Sequence, residues 1–248
     1  MARRSPIEGG RVSAVAVIPA FNEEAPLGDV LAEIAEIDGL VPVVVDDGSS
    51  DGTAGVARNA GVACVRLPFN LGVGGAVRTG LRWALDHGAE TVVIIDADGQ
   101  HDPADVAALL AAIDAGAGLA IGSRFAADAG DYAVGATRRR AMRILNRLVR
   151  TTTGFAATDA TSGFRAMSRP VVEYLACEYP VEYLADTVEV IILVRRAGHE
   201  VVEVPVSMRE RAGGVPSARR FRLAFNFLRL LVGIAGGVLV GRRDGGRP

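Results

Sequence analysis

The chain has 248 residues, half of them hydrophobic, and a formal net charge of −2. That length fits one large domain or two small ones, and the apolar fraction supports a sizeable core without covalent staples. The near-neutral balance excludes a general attraction to nucleic acid. Every fixed side-chain cation is an arginine, a planar multi-donor fork suited to phosphate. The charged residues from Glu23 to Asp51 are all acidic, whereas those from Arg138 to Arg150 are all basic. In chain order, the apolar run VSAVAVI (12–18) predicts a first strand, and PLGDVLAEIAEI (26–37) carries helical spacing. VPVVV (41–45) predicts a second strand, followed by the turn DDGSSDGT and another helix. VACVRL predicts a third strand, GGAVRTGLRWALDHG a helix, TVVII a fourth strand, PADVAALLAAIDAG a helix with Pro103 in its first turn, and GLAIG a fifth strand.

Strands alternating with helices predict an α/β fold, with a mostly parallel sheet covered on both faces. Beyond residue 124 the pattern loosens into a loop (125–136), a basic helix (about 137–150) and a turn-rich segment (151–166). Two helices, the strand HEVVEVPV and an amphipathic tail follow. The organisation read from this is a flexible N-terminus (1–11), one domain (12–217) with halves at 12–124 and 125–217, an amphipathic helix (218–240) and a flexible tail (241–248). Cys64 and Cys177 show no metal-ligand spacing, which points to a reducing compartment. MARRSPIEGGR lacks the apolar centre of a signal peptide, and LLVGIAGGVLVG is shorter than the roughly 20 residues of a spanning helix. The expectation is a cytoplasmic protein, peripheral at the inner face of the membrane.

The stretch TVVIIDADGQH (91–101) runs four apolar residues into Asp96, Asp98, Gln100 and His101. In open α/β sheets, ligands bind beyond the carboxyl ends of strands. If the backbone stays extended, Asp96, Asp98 and Gln100 present oxygens on one side. Paired carboxylates repel unless a cation lies between them, and oxygen donors favour a hard ion such as Mg²⁺ or Mn²⁺. The alternative is that Asp96 and Asp98 cap a turn, although Asp102-Pro103 already supplies a helix cap there. His101 has two open readings, support of the metal ligands or a simple turn role. His87 and His199 are expected to face solvent, and Trp83 to lie in the core.

Six segments in order resemble family-2 glycosyltransferases. They are VIPAFNEE (17–24), VVDDGSSDGT (44–53), NLGVGGAVRTG (70–80), IIDADGQH (94–101), IGSRF (121–125) and DATSGFRAMSR (159–169). Within that family they look most like dolichol-phosphate mannose synthases and bacterial polyprenyl-phosphate relatives. The resemblance implies a GT-A fold, Rossmann-like, with a C-terminal amphipathic tail. It also implies an inverting transferase that takes mannose or glucose from a GDP- or UDP-linked donor. It places Pro19, Phe21 and Glu23 at the nucleotide, Asp47 at the base or ribose, and Ala97 behind the donor. Asp96, Asp98 and Gln100 would hold the Mg²⁺ or Mn²⁺, Arg124 would meet a phosphate or the sugar, and Arg209 and Arg211 the diphosphate. Ser162, Gly163 and Arg165 would serve a polyprenyl phosphate acceptor. Phe21 stands where tyrosine is common, and Pro216 and Ala218 interrupt a run that usually carries serine or lysine. Asp186 matches the catalytic aspartate of hydroxyl-using relatives, whereas an anionic phosphate acceptor needs little or no base. Two rivals therefore stand beside this reading: a hydroxyl acceptor with Asp186 as base, and a non-catalytic nucleotide-binding scaffold.

Two arginine-bearing amphipathic stretches suit an interfacial location. In TRRRAMRILNRLVR, Arg139, Arg143, Arg147 and Arg150 share one helical face, and Ala141, Ile144, Leu145 and Leu148 another. In SARRFRLAFNFLRLLVGI, Arg219, Arg222, Asn226 and Arg229 run beside Phe221, Phe225, Phe227, Leu228 and Leu231. A membrane surface, an integral-membrane partner or a homodimer seam are the partners these faces predict. The glycines of GVGGAVRTG do not complete a dinucleotide fingerprint and are expected to pack helix closely on sheet.

Overall fold

A computed structural model describes residues 13–126, 136–180 and 186–209, with the side chains of residues 136–139, 141 and 186 left out of that description. The N-terminal stretch, the 218–240 helix with its arginines, the final tail and Arg211 lie outside the described residues. The unbroken apolar runs of the first half become parallel strands: β1 (Ala14–Ala20), β2 (Leu40–Asp46), β3 (Ala63–Arg66) and β4 (Thr91–Ile94). Between them lie helices α1 (Glu24–Ile34), α2 (Thr53–Asn59) and α3 (Val73–Asp86). A short 3-10 turn (Pro103–Asp105) then opens α4 (Val106–Asp114), with the Asp102 carboxylate accepting from the Ala104 N–H as the expected cap. Strand β5 (Leu119–Ser123), the basic helix α5 (Ala136–Thr153), strand β6 (Arg165–Ser168), helices α6 (Arg169–Glu178) and α7 (Asp186–Arg196), and strand β7 (Val201–Pro205) complete the series.

The seven strands form one sheet in the order β3-β2-β1-β4-β6-β5-β7. Strand β6 differs from expectation: it was hidden at the edge of a stretch rich in turn residues, and it runs antiparallel between β4 and β5. Its register sets Arg165 beside Ile94 on one side and Ile121 on the other. The remaining pairs are parallel, so the sheet is mostly parallel.

Alternate residues of each strand feed opposite faces. Val15, Val17, Val43 and Val92 meet α3, α5, α6 and α7 through Leu81, Val149, Leu175 and Ile191. Ala16, Ile18, Val44 and Val93 meet α1, α2 and α4 through Leu27, Ile34, Ala57 and Leu109. Each fully buried Val, Leu or Ile contributes about 1.5–3 kcal/mol, so the two apolar layers fix the strand ends from which the site projects. The expected helix-to-sheet glycine contact is at Gly80, where a Cβ would overlap the Val17 side chain. His87 departs from its expected solvent-facing place. It is half-buried, stacks on Trp83 at 3.8 Å, and its Nδ1 lies 2.7 Å from the Trp83 carbonyl.

Helix α5 also corrects the expected division of faces. Leu145 packs into the core together with Met142 and Val149, whereas Ile144 is exposed and Leu148 half-buried, so the expected apolar stripe is split between inside and outside. What remains outside is Arg140, Arg143, Arg147 and Arg150 with the exposed Ile144. These residues line a groove of about 720 Å³ floored by Ala156 and Ala157.

Candidate active site

The carboxyl ends of β1, β2 and β4 converge on one edge of the sheet. Pro19 is buried within β1, and Phe21, just beyond it, is 45% exposed. Asn22 adopts a left-handed backbone (φ 56), an uncommon state for a residue with a side chain. Hydrogen bonds hold it there: its N–H donates to Ser49 Oγ at 2.9 Å, and its Oδ1 accepts from the Ser50 N–H at 2.9 Å. Glu23 is buried, and its N–H donates to Thr53 Oγ1. The loop after β1 is thus stitched to the turn after β2.

Asp47 was expected at the base or ribose. Instead it is buried, and its two oxygens accept from the Leu71 and Gly72 N–H groups at 2.7 and 2.8 Å. Burial pushes its carboxyl above the ordinary range, while the two backbone donors pull the other way. These two bonds dock loop 69–72 onto the turn. Gly48 makes that possible: its φ is +74, and a Cβ there would lie 2.9 Å from Asn70 N. Phe21, Phe69 and Leu71 are left as exposed apolar side chains on these loops.

At β4 the extended backbone ends with Ile94, and residues 97–99 turn, with Gly99 at φ 74. Asp96, Asp98 and Gln100 therefore do not share one pleat, contrary to the extended-chain expectation. Asp96 stays partly exposed, whereas Asp98 folds inward and accepts from the Gln100 N–H at 3.0 Å. Ala97 is buried behind them. Among the described residues no three His, Cys, Asp or Glu side chains converge as a closed metal site. Two carboxylates with an amide oxygen nearby are a hard donor set that fits a divalent cation with several coordination positions left to substrate oxygens. The Asp96 carboxylate also has a fitted wall: a Cβ at Gly163 would lie 3.3 Å from its Oδ2.

Arg124 was expected to face a phosphate or the sugar. Its guanidinium is buried, and Nε and Nη2 donate to Asp159 at 2.5 and 2.7 Å. Nη2 also donates to Thr161 Oγ1 at 3.0 Å, and Nη1 reaches Met208 Sδ at 3.8 Å. Arg165, expected at an acceptor phosphate, is 1% exposed. It donates to the Ser162 and Thr187 carbonyls at 2.8 and 2.9 Å, holding segment 159–163 and the start of α7 together. Ser162 is buried, and its Oγ accepts from the Phe164 N–H. Arg209, expected at the diphosphate, pairs with Glu33 and Asp102 at 2.6 and 2.9 Å. The Asp186 side chain lies outside the described residues, at the head of α7.

Three positions that sequence reasoning missed hold this arrangement. Asp159 is the buried counter-charge of Arg124. Glu203 accepts from the Thr158 and Asp159 N–H groups, and Asn146 bridges the Thr158 carbonyl and the Ala160 N–H. Asp159 sat inside a quoted motif, and its signal was a carboxylate with no other duty in a segment of small residues. Together the contacts form a chain from Asp96 to His101, from His101 to Met208 by a backbone bridge, from Met208 to Arg124, and from Arg124 to Asp159 and Thr161, and a Cβ added at nearby Gly163 would lie 3.3 Å from the Asp96 carboxylate.

The sequence model of Glycosyl transferase family 2 matches residues 15–175, well over half of the chain. The chain belongs to glycosyl transferase family 2. Among family members, the polyprenol monophosphomannose synthase of Mycolicibacterium smegmatis is 34% identical over 209 residues, covering 80% of this chain and 78% of that one. The undecaprenyl-phosphate mannosyltransferase of Micrococcus luteus is 32% identical over 209 residues, covering 80% and 84%. A solved structure of glucosyl-3-phosphoglycerate synthase from Mycobacterium tuberculosis, with Mn²⁺, uridine diphosphate and phosphoglyceric acid, superposes with a TM-score of 0.69. That match has 21% identity and covers 93% of this chain and 79% of that one, so the two share the fold. As a family-2 transferase the chain has its acidic turn, closed by segment 159–163, at the sheet edge where α/β folds bind ligands.

Proposed function

We propose that this transferase moves a sugar, mannose or glucose, from a nucleoside diphosphate to a polyprenyl phosphate at a membrane surface, with inversion. The observation that carries the reading is the placement of the Gly163 segment beside the Asp96 carboxylate beyond the end of β4. The kinship with transferases named for polyprenol and undecaprenyl phosphate supports the acceptor class. GDP-mannose is the first donor to test, with UDP-linked sugars beside it.

Asp96 and Asp98 are the residues to hold a Mg²⁺ or Mn²⁺. When bound, that cation supplies Lewis-acid stabilisation of the charge on the departing diphosphate. The chain itself orients the reactants. The loops after β1 and β3 present Phe21 and Leu71 to the nucleotide. The Arg124–Asp159 pair fixes segment 159–163, whose glycine admits an acceptor phosphate close to the donor. A phosphate acceptor arrives already anionic, so Asp186 has no proton to remove. The groove arginines of α5 give the anionic membrane surface its counterpart. Among the described residues no helix is long and apolar enough to cross a membrane.

A panel of radiolabelled GDP- and UDP-sugars with a short polyprenyl phosphate, with and without chelator, tests the whole reading. Label is expected in the organic phase only without chelator, and Asp186→Asn is expected to keep most of it. Transfer that survives chelator removes the metal from the reading. Near-total loss in Asp186→Asn transfers the reading to a hydroxyl acceptor.

A further inference from the structure

His101 is buried and makes contacts that a turn residue does not need. Its Nδ1 accepts a hydrogen bond from the Asp96 N–H at 3.1 Å. An accepting Nδ1 carries no proton, so in the neutral ring the hydrogen is on Nε2. Nε2 lies 3.6 Å from Asp96 Oδ2, longer than a hydrogen bond and close enough to steer the carboxylate. The ring is stacked on Phe164, with centroids 4.7 Å apart and planes 12° from parallel. Phe164 directly follows Gly163, where an added Cβ would lie 3.3 Å from the same oxygen. The backbone of His101 bridges to Met208, and the Gln100 carbonyl accepts from the Arg209 N–H at 2.9 Å. The imidazole is therefore held by Asp96 and Phe164, the backbone beside it by Met208 and Arg209, and both ring nitrogens are directed at one residue.

From this geometry we infer that His101 is a positioning residue for Asp96, acting as the Nε2–H tautomer: it fixes the backbone of Asp96 through Nδ1 and aims its carboxylate through Nε2. This rests on the proposed assignment of Asp96 to a divalent cation. Groups that orient a ligand without touching the metal typically change affinity by about 10–100-fold when removed. Asn at position 101 keeps an acceptor for the Asp96 N–H and loses the donor toward Oδ2. Phe keeps the stack on Phe164 and loses both nitrogens.

The test uses the full chain and Mn²⁺ as the probe, titrated by electron paramagnetic resonance with GDP and, separately, with UDP. His101→Asn is expected to weaken Mn²⁺ binding about tenfold and His101→Phe about 100-fold, with the His101→Asn melting temperature unchanged. Nitrogen NMR of isotope-labelled histidine in the metal-free wild type is expected to place the proton on Nε2. A proton on Nδ1, or Mn²⁺ binding by both variants at the wild-type level, overturns the inference. So does an affinity loss that merely tracks lost stability, the mark of a ring that only packs. Wild type that binds no Mn²⁺ fails the metal assignment itself and takes this inference with it. Wild type that binds while the variants match it fails only the role of His101.

Discussion

Replacing Asp159 with alanine isolates the ion pair at the centre of the site. The pair is bidentate, with side-chain exposures of 6% for Arg124 and 0% for Asp159. Deleting one member of a buried pair strands a desolvated charge, which costs about 3–5 kcal/mol. For a chain of 248 residues, each kcal/mol lowers the melting temperature by about 2–4 °C, so the fall is roughly 6–20 °C. Urea unfolding measures the loss directly, with the slope unchanged if the unfolded state is unaffected. A double variant, Arg124→Met with Asp159→Leu, removes both charges and is expected to recover most of the loss. If Asp159→Ala costs less than about 1 kcal/mol, the pair behaves like an exposed one. Arg124 would then be free to serve a ligand, as the sequence motif implied, and the structural reading of it would be wrong.

Three further outcomes follow from the geometry. Gly163 is not among the glycines with a left-handed backbone, so alanine fits its conformation; its Cβ would press on Asp96 Oδ2 from 3.3 Å. Gly163→Ala should lower kcat about tenfold, at a melting temperature close to wild type, because small displacements at a reacting centre are expensive; an unchanged kcat would separate this segment from the reaction. Asp47 has a carboxyl raised by burial above its ordinary value of 3.8. A raised folded-state value means that its contribution to stability is full below the ordinary value and is lost as pH rises through the raised one. Unfolding curves of wild type and Asp47→Asn should thus diverge progressively over that window, with wild type losing ground as pH rises; parallel curves would exclude the burial effect. Replacing Arg143, Arg147 and Arg150 together by alanine should weaken binding to phosphatidylglycerol vesicles about 100-fold, at about 1 kcal/mol for each arginine. Phosphatidylcholine vesicles serve as the control, and equal binding by both proteins would leave the groove without a membrane role.

The parallel half of the fold was legible because its strands are unbroken apolar runs bounded by glycine, proline and acidic turns, and local pattern sufficed. Strand β6 was not legible. It opens with an arginine and has four residues, and it becomes a strand because β4 and β5 each offer it a ladder of backbone partners. The acidic turn was located correctly at the end of β4, but its extended geometry was not, since Gly99 and the Gln100-to-Asp98 bond reverse the chain. The charged residues were the hardest to assign. Asp47, Arg124, Arg165 and Arg209 all lie near the expected edge, yet each is engaged by protein groups. Those partners are Leu71 and Gly72, Asp159, Thr187, and Glu33, respectively. Such pairings join positions tens of residues apart, and no periodicity in one sequence reports them.

The place of β6 in the sheet has a bearing on biosynthesis. β5 leaves the ribosome well ahead of β6, yet among the described residues its neighbours in the sheet are β6 and β7 alone. A nascent chain can complete the β1–β4 block while β5 waits with both edges open. Non-local closure of this kind is slow and exposes apolar edges meanwhile. Gly163 and Phe164 lie directly before β6, so the wall beside Asp96 comes into place with the strand pairing that completes the sheet.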